Sequence, residues 1–346
     1  MSQRLQQLLS ERPFLLADGA MGTNLFAMGL MTGEAPELWN FERPDQVEHL
    51  HRGMVEAGAD IILTNTFGGS SYRLKLHKQQ DRVREINREA ARIARRVADS
   101  TGRPVVVAGS IGPSGELFEP LGALTPEGAE AAFGEQAAAL AEGGVDLLWI
   151  ETMSAREEVL AAAAGAAKTG LPFVVTMSFD TNGRTMMGFT PADFAGFAHT
   201  MDSRPFGYGA NCGVGAAELV AAIVNMSSAT KPGDILVAKG NCGVPYFVEG
   251  QIRYDGTPAL MADYARLARD AGAGIIGGCC GTTPEHLAAM HAALSSHVPG
   301  SKPTLTEIAA KLGKLTPGTE ACALPGEAPA GARRAGRRRR EADAAF

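Results

Sequence analysis

Cysteine is scarce in this 346-residue chain: there are five, at 212, 242, 279, 280 and 322. An odd, sparse set in a chain of this size is not a secreted disulfide framework. It points to a reducing, cytoplasmic compartment, where such thiols serve as metal ligands or as small buried hydrophobes. Long apolar runs are missing too. Nothing approaches the ~20 residues of a membrane-spanning helix, and the N-terminus holds no apolar stretch of the signal-peptide kind. Positive charge is not in excess. The net charge is −6, and Arg333, Arg334 and the run 337–340 gather basic residues at the C-terminal end, so the body is more acidic still. An acidic body argues against nucleic acid as a partner. The sequence also contains no HExxH, GxSxG or P-loop lysine motif, each of which would have named a chemistry.

Glycine is abundant, with 42 residues, which suits many tight strand-to-helix turns. Short apolar runs predict strands at 14–17, 60–67, 105–108, 146–150, 173–178, 207–211, 235–238 and 274–276. Helical stretches are expected at 1–12, 44–58, 80–100, 126–143, 154–168, 191–201, 216–226 and 257–271, from 284 onward, and last at 301–313. The strands are apolar and nearly continuous, as strands buried on both faces should be. Eight strand–helix units in succession predict an α/β fold, a (β/α)8 TIM barrel, with an open doubly wound sheet as the alternative. The barrel is expected over 1–313. Residues 314–346, rich in Pro, Ala, Gly and Arg, are expected to be a disordered, solvated tail; the alternative is an arginine run that binds an acidic partner.

In a barrel all the strand ends point to one face. Those ends carry Asp18, Asn65, Ser110, Glu151, Ser178, Cys212, Asn241 and the pair Cys279-Cys280, polar groups and thiols above apolar strand bodies. Cys212 ends the sixth strand and Cys279-Cys280 the eighth, so one strand separates them and three sulfurs can converge. Three thiolates and one open position describe a catalytic zinc site, and thiolates favour zinc over harder cations. The alternative is buried thiols that simply pack. Cys242 reads as a packing bystander, with a fourth-ligand role as its alternative. Asp18 and Glu151 are acids placed to hold a substrate ammonium or to move a proton; a structural ion pair or a cap is the plainer role.

Beyond the cysteine pair a helix opens: Thr282 or Thr283 can cap it, Pro284 suits its first position, and Thr282-x-x-Glu285 spells a capping box. A literal GxGxxG at 272–277 falls before and within a strand, so its dinucleotide reading fails on context. His49 and His51 are two apart on a helix and do not share a face. Trp39, Tyr72 and Phe118 are available to wall a cationic ligand, although core packing is the commoner role of each.

The ordered motifs Asp18-Gly19-Ala20-Met21-Gly22-Thr23, Thr64-Asn65-Thr66-Phe67, Gly112-Pro113-Ser114-Gly115, Ile150-Glu151-Thr152, Ala210-Asn211-Cys212-Gly213 and Gly277-Gly278-Cys279-Cys280-Gly281 resemble the homocysteine S-methyltransferases. The resemblance runs over 14–290, nearly the whole ordered body. It implies a (β/α)8 barrel with Zn2+ on Cys212, Cys279 and Cys280. It also implies Asp18, Gly19, Asn65, Glu151 and Asn211 as substrate-binding residues, with Asp18 and Glu151 catalytic and Glu151 at the homocysteine amino group. Gly240-Asn241-Cys242-Gly243 departs from the Asn-Ala-Gly of the family, which leaves Cys242 without a family role.

The resemblance implies homocysteine and a small methyl donor as partners, in the cytoplasm, with no membrane and with a homo-oligomer compatible. Betaine is the expected donor, because 177–191 and the arginine-rich end look like bacterial betaine-type members. Gly68 stands where the animal betaine enzymes have a tyrosine. S-methylmethionine, dimethylsulfoniopropionate and a methylcobalamin protein are the alternatives. The length leaves no room for folate- or cobalamin-binding domains, so a complete cobalamin-dependent methionine synthase is not expected; one separate piece of a split synthase stays as an alternative. Readings of other classes are a non-catalytic zinc- or thiol-binding barrel and a phosphate-binding barrel lyase; the latter leaves the cysteines unexplained.

Overall fold

Two-residue alternation in the short apolar runs decides the architecture. A computed structural model describes residues 1–248 and 251–323. Its strands are β1 (Leu15–Leu16), β2 (Ile61–Leu63), β3 (Val106–Ile111), β4 (Leu147–Met153), β5 (Phe173–Met177), β6 (Gly207–Cys212), β7 (Leu236–Gly240), β8 (Pro245–Val248), β9 (Gln251–Tyr254) and β10 (Ala273–Gly278). All but β8 and β9 join one parallel sheet in the order β1-β10-β7-β6-β5-β4-β3-β2. A parallel bridge between Ala17 and Ile61 brings its two ends together. Across that seam Asp60 N–H donates to Leu16 O at 2.7 Å and Asp18 N–H to Ile61 O at 2.9 Å. The circuit is that of a (β/α)8 barrel; an open doubly wound sheet would leave two free edges.

Alternate strand residues point inward. Leu15, Ala17, Ile61, Leu63, Val106, Ala108, Leu147, Trp149, Val174, Val237 and Ile275 form a buried cluster inside the barrel. Leu5 and Leu8 of the first helix, Gln3–Glu11, belong to the same cluster and plug the end where the strands start. The interior is narrow because Trp149 fills it. A Cβ on Gly209 would meet Val237 O at 1.9 Å, so only glycine lets β6 pass β7 there. The other strand face, Leu16, Ile62, Val107, Leu148, Ile150, Val175 and Ile276, packs against the surrounding helices.

The helices Pro44–Glu56, Pro126–Gly143, Arg156–Ala167, Ala216–Met226 and Pro258–Asp270 stand within one or two residues of their expected bounds. Besides short extra helices at Gly22–Ala27, Trp39–Glu42 and Ser71–Lys75, three features add to the expected pattern. Between β7 and the helix Pro258–Asp270 the chain makes an antiparallel hairpin, β8 with β9. Of the two candidate caps, Thr283 is the one that caps the helix Pro284–Ser295, its hydroxyl 2.7 Å from His286 Nδ1, so the Thr282–Glu285 box does not form; Thr282 is buried and its hydroxyl has no partner among the described residues. Within the segment assigned to the tail, Pro317–Ala323 is helical. It lies on Ala216–Met226, where Thr316 N–H donates to Glu218 Oε1 at 2.7 Å and Asn225 Nδ2 donates to Cys322 O. The remainder of the expected tail, with its arginine run, lies outside the described residues. No helix among the described residues is long and apolar enough to cross a membrane.

Candidate metal and substrate site

The inward register of each strand continues past its apolar body into the site. On β4, Leu147 and Trp149 point inward, so Glu151 does too. On β7 the same step from Val237 reaches Lys239. Lys239 Nζ donates to Asp18 Oδ1 at 2.9 Å and lies 5.5 Å from the centroid of the Trp149 ring. The other Asp18 oxygen accepts Leu63 N–H at 2.7 Å. Glu151 Oε1 accepts the Ser110 hydroxyl at 2.6 Å. All three charged side chains are buried.

Burial pushes the Asp18 and Glu151 carboxyls above their ordinary range, against the pull of Lys239. Burial also opposes the Lys239 charge, but Asp18, Glu151 and the Cys279 sulfur outweigh it and hold the ammonium above its ordinary value. A buried cation between two buried acids leaves one negative charge in excess, which a ligand ammonium would satisfy.

Beside this floor the sulfurs of Cys212, Cys279 and Cys280 all lie within 4.8 Å of one another. Cys212 closes β6 with φ 61°, a left-handed conformation rare for a residue with a side chain. Thr152, at the end of β4, has φ 63°. Asn211 ties the two ends together. Its Oδ1 accepts Thr152 N–H at 2.8 Å and the Thr176 hydroxyl at 2.7 Å, and its Nδ2 donates to Thr152 Oγ1 at 2.7 Å. That same Nδ2 lies 3.8 Å from Cys279 Sγ.

The Cys279-Cys280 turn is held through its backbone. Cys279 N–H donates to Gly240 O at 2.7 Å, Cys280 N–H to Asn241 Oδ1 at 3.1 Å, and Cys280 O accepts Cys242 N–H at 2.9 Å. The hairpin adds Tyr254, whose hydroxyl hydrogen-bonds the Cys280 sulfur. Its ring rests on Gly281, where a Cβ would come within 2.4 Å of Tyr254 Cγ.

As thiols the three cysteines hydrogen-bond one another. Contact with Cys279 lowers the Cys212 thiol, but contact with Cys280 and burial outweigh it and push it up to about 12. Cys280 is lowered by Cys212 and raised more by Cys279, also to about 12. Cys279 is raised by its bond with Cys212 and by burial. Thiols packed this closely give up their protons at neutral pH only when a metal cation binds in their place. Zinc–sulfur bonds of about 2.3 Å in a tetrahedron set sulfurs roughly 4 Å apart, so the donor set fits that ion with small rotamer adjustments. Cys242 stands apart from this group: it is fully buried, and its thiol donates to Gly256 O at 3.2 Å.

A cavity of about 500 Å³ opens onto the cluster and is lined by Cys212, Cys279, Cys280, Asp18, Gly19, Asn65, Ser110, Glu151 and Lys239, among others. Asn65 lines it, yet its amide is engaged in holding the loop from β1, donating to Pro36 O at 2.7 Å. Asn211 is fully buried behind Cys212 and does not line the cavity. Trp39 is buried in the outer core, and neither it nor Tyr72 nor Phe118 lines the cavity, so those rings do not form a cage here. Lys239 is recognisable in the sequence as a strand-end lysine but carries no expected role in this site, and Tyr254 carries none at all. The inward step from Val237 was a signal for the first, and the alternation of Tyr246, Val248, Ile252 and Tyr254 was one for the second.

The profile of the homocysteine S-methyltransferase family matches residues 15–294. Methionine synthase of Mycobacterium tuberculosis (strain ATCC 25618 / H37Rv) is 32% identical over 312 residues, 84% of this chain and 25% of that protein. The Mycobacterium leprae (strain TN) methionine synthase is 30% identical over 319 residues, 86% of this chain and 26% of that one. The chain thus spans about a quarter of the length of these curated relatives. Among solved structures, the homocysteine methyltransferase MmuM from Escherichia coli in its oxidized form superposes with a TM-score of 0.69 at 25% identity, covering 84% of this chain and 99% of that one. Its metallated form gives a TM-score of 0.68 at 24% identity, with the same coverage. With a family match that spans the barrel from β1 into the helix after β10, the chain belongs to the homocysteine S-methyltransferase family.

Proposed function

We propose that the protein transfers a methyl group to the sulfur of homocysteine, giving methionine, with Zn2+ held by Cys212, Cys279 and Cys280 and with betaine as the donor. The observation that carries this reading is the convergence of three cysteine sulfurs within 4.8 Å beside a buried Asp18–Lys239–Glu151 floor. A relative of the same fold has been solved in a metallated form, which supports a bound metal in this chain. Bound zinc supplies Lewis acidity, which favours the thiolate form of the substrate at neutral pH.

The chain's own residues do the rest. Glu151, poised by Ser110, takes the homocysteine ammonium, and the charge excess of the floor favours that pairing. Asp18 is held in place by Leu63 N–H and Lys239, so Gly19 and the following turn present a fixed backbone to the substrate. Asn211 fixes the strained end of β6 and so aims Cys212. Tyr254 donates to the Cys280 sulfur and tempers its charge. Holding donor and acceptor in line within one cavity lowers the barrier chiefly by positioning. A small cationic donor suits an anionic site, because transfer of its methyl group cancels charge in the transition state.

The test is methionine formation from homocysteine by the zinc-loaded chain, supplied in turn with betaine, dimethylsulfoniopropionate, S-methylmethionine and methylcobalamin. Turnover with betaine supports the full reading. Turnover with another donor alone replaces the donor and leaves the reaction. No turnover with any of them returns the chain to a non-catalytic zinc-binding barrel.

A further inference from the structure

Two short helices, Leu305–Leu312 and Pro317–Ala323, follow the stretch that the family profile matches. Ile308, Leu312 and Leu315 anchor them in the outer core. The second helix is pinned at both ends to Ala216–Met226, the helix that follows Cys212, through Glu218 and Asn225. Asn225 works in two directions. Its Nδ2 donates to Cys322 O, and its Oδ1 accepts Ala192 N–H at 2.9 Å, at the start of the helix Pro191–Ala198. Between these anchors the second helix lies on the loop 178–190, which joins β5 to Pro191–Ala198. Thr319 is buried against Gly183, where a Cβ would come within 2.8 Å of Thr319 Cα and 3.3 Å of Cys322 Cβ. The Cys322 thiol donates to Asn182 O at 3.8 Å. A Cβ on Gly318 would meet Asn182 Cβ at 2.2 Å, so only glycine lets the helix sit this close to the loop.

The base of this loop reaches the cysteine cluster. Phe179 is buried, with its ring centroid 6.5 Å from that of Phe194. Its carbonyl oxygen lies 3.9 Å from where a Cβ on Gly213 would sit, on the residue that follows Cys212. Cys212 has φ 61°. A residue with a side chain keeps such a conformation only where its surroundings over-determine it. Asn211 holds it from behind, and Asn241 Nδ2 donates to Gly213 O at 2.7 Å from the β7 side. On the β5 side the support is Phe179. We propose that residues 305–323 are a positioning strap for the metal site: they clamp the loop 178–190 against the Cys212–Gly213 turn and so keep the Cys212 sulfur aimed at Cys279 and Cys280. The proposal rests on the metal reading of the three cysteines and extends the site to a segment beyond the family match. A ligand side chain fixed before the metal arrives spares the cost of ordering it on binding. Gly318, Thr319 and Asn225 act through the loop, and none of them lines the cavity.

The experiment uses the full chain, with zinc alone as the probe in competition with a chelator, and hydrogen exchange to read the loop. Gly318→Val wedges the strap off Asn182. Asn225→Asp keeps the acceptor for Ala192 N–H and removes the donor to Cys322 O. Ala321→Val, at an exposed position of the same helix, is the control. Both test variants should speed exchange at Thr181, Arg184 and Thr185, whose amides are bonded within the loop, and leave β3 and β4 protected. Both should raise the zinc dissociation constant at least fivefold, and Ala321→Val should change neither quantity. Where Gly318→Val does not fold, Asn225→Asp gives the same reading. Unchanged zinc affinity in the folded test variants overturns the proposal, whether or not the loop loosens. An equal loss in Ala321→Val also overturns it, because the effect is then one of general stability. A parent chain that takes up no zinc overturns the metal reading itself, and the strap's role with it.

Discussion

Lys239 Nζ lies 2.9 Å from Asp18 Oδ1, with the two side chains 2% and 4% exposed. The pair joins β7 to the turn after β1 across the barrel axis, and Glu151 shares the field of the same ammonium. Removing the cation leaves two acids in a desolvated floor.

Lys239→Met is therefore expected to cost about 3–5 kcal/mol of folding stability at pH 7, the range for breaking a buried pair from one side. Lys239→Met combined with Asp18→Asn should be less destabilising than the two single changes added together, because it removes the stranded charge. Denaturant unfolding of the zinc-free chain measures both. A Lys239→Met protein within 1 kcal/mol of the parent would mean that the floor is solvated.

The cysteines should separate into two classes. Cys280→Ala removes a sulfur from the converging set and should abolish stoichiometric zinc. Cys242→Ala removes a thiol that bonds Gly256 O, away from that set, and should keep one zinc per chain. Metal analysis after gel filtration reads both. Zinc loss in the Cys242 variant would make it a ligand.

His51 gives a pH dependence unrelated to the metal. It is fully buried in the helix Pro44–Glu56, neither ring nitrogen has a partner among the described residues, and burial lowers its pKa to about 4. A folded-state pKa below the unfolded one means that protonation favours the unfolded chain. The stability tied to neutral His51 is present above about pH 6.5 and is lost as the pH falls toward 4. Between pH 8 and pH 5 the loss should be about 2 kcal/mol. In His51→Leu it should vanish, leaving a flatter stability profile for the zinc-free chain. Parallel profiles for parent and variant would contradict the assignment.

Much of the architecture was readable because parallel barrel strands are buried on both faces and announce themselves as short apolar runs. Cys212 and Cys279-Cys280 could be placed on one face from strand order alone. Lys239 could be placed at a strand end but not in the site, because a lysine at the end of an apolar run reads as the point where the strand meets water. Only the inward register set by Val237 shows that it turns to the axis. Tyr254 escaped notice because its strand pairs outside the barrel, so the eightfold repeat gave it no place. Glu37 and Arg73, which also line the cavity, sit on short helical turns, Pro36–Leu38 and Ser71–Lys75, in the connections after β1 and β2, too short for any periodicity to foretell. Trp39 was available as a cage residue from its type, but helix packing took it into the core.

The central claim is that three cysteine sulfurs hold one zinc and leave a position for the sulfur of homocysteine. Zinc-edge X-ray absorption of the loaded chain counts sulfur ligands directly. Three sulfurs are expected in the resting protein and four after addition of homocysteine, with Cys242→Ala giving the same counts. Four sulfurs at rest, or a count that homocysteine does not change, would contradict it.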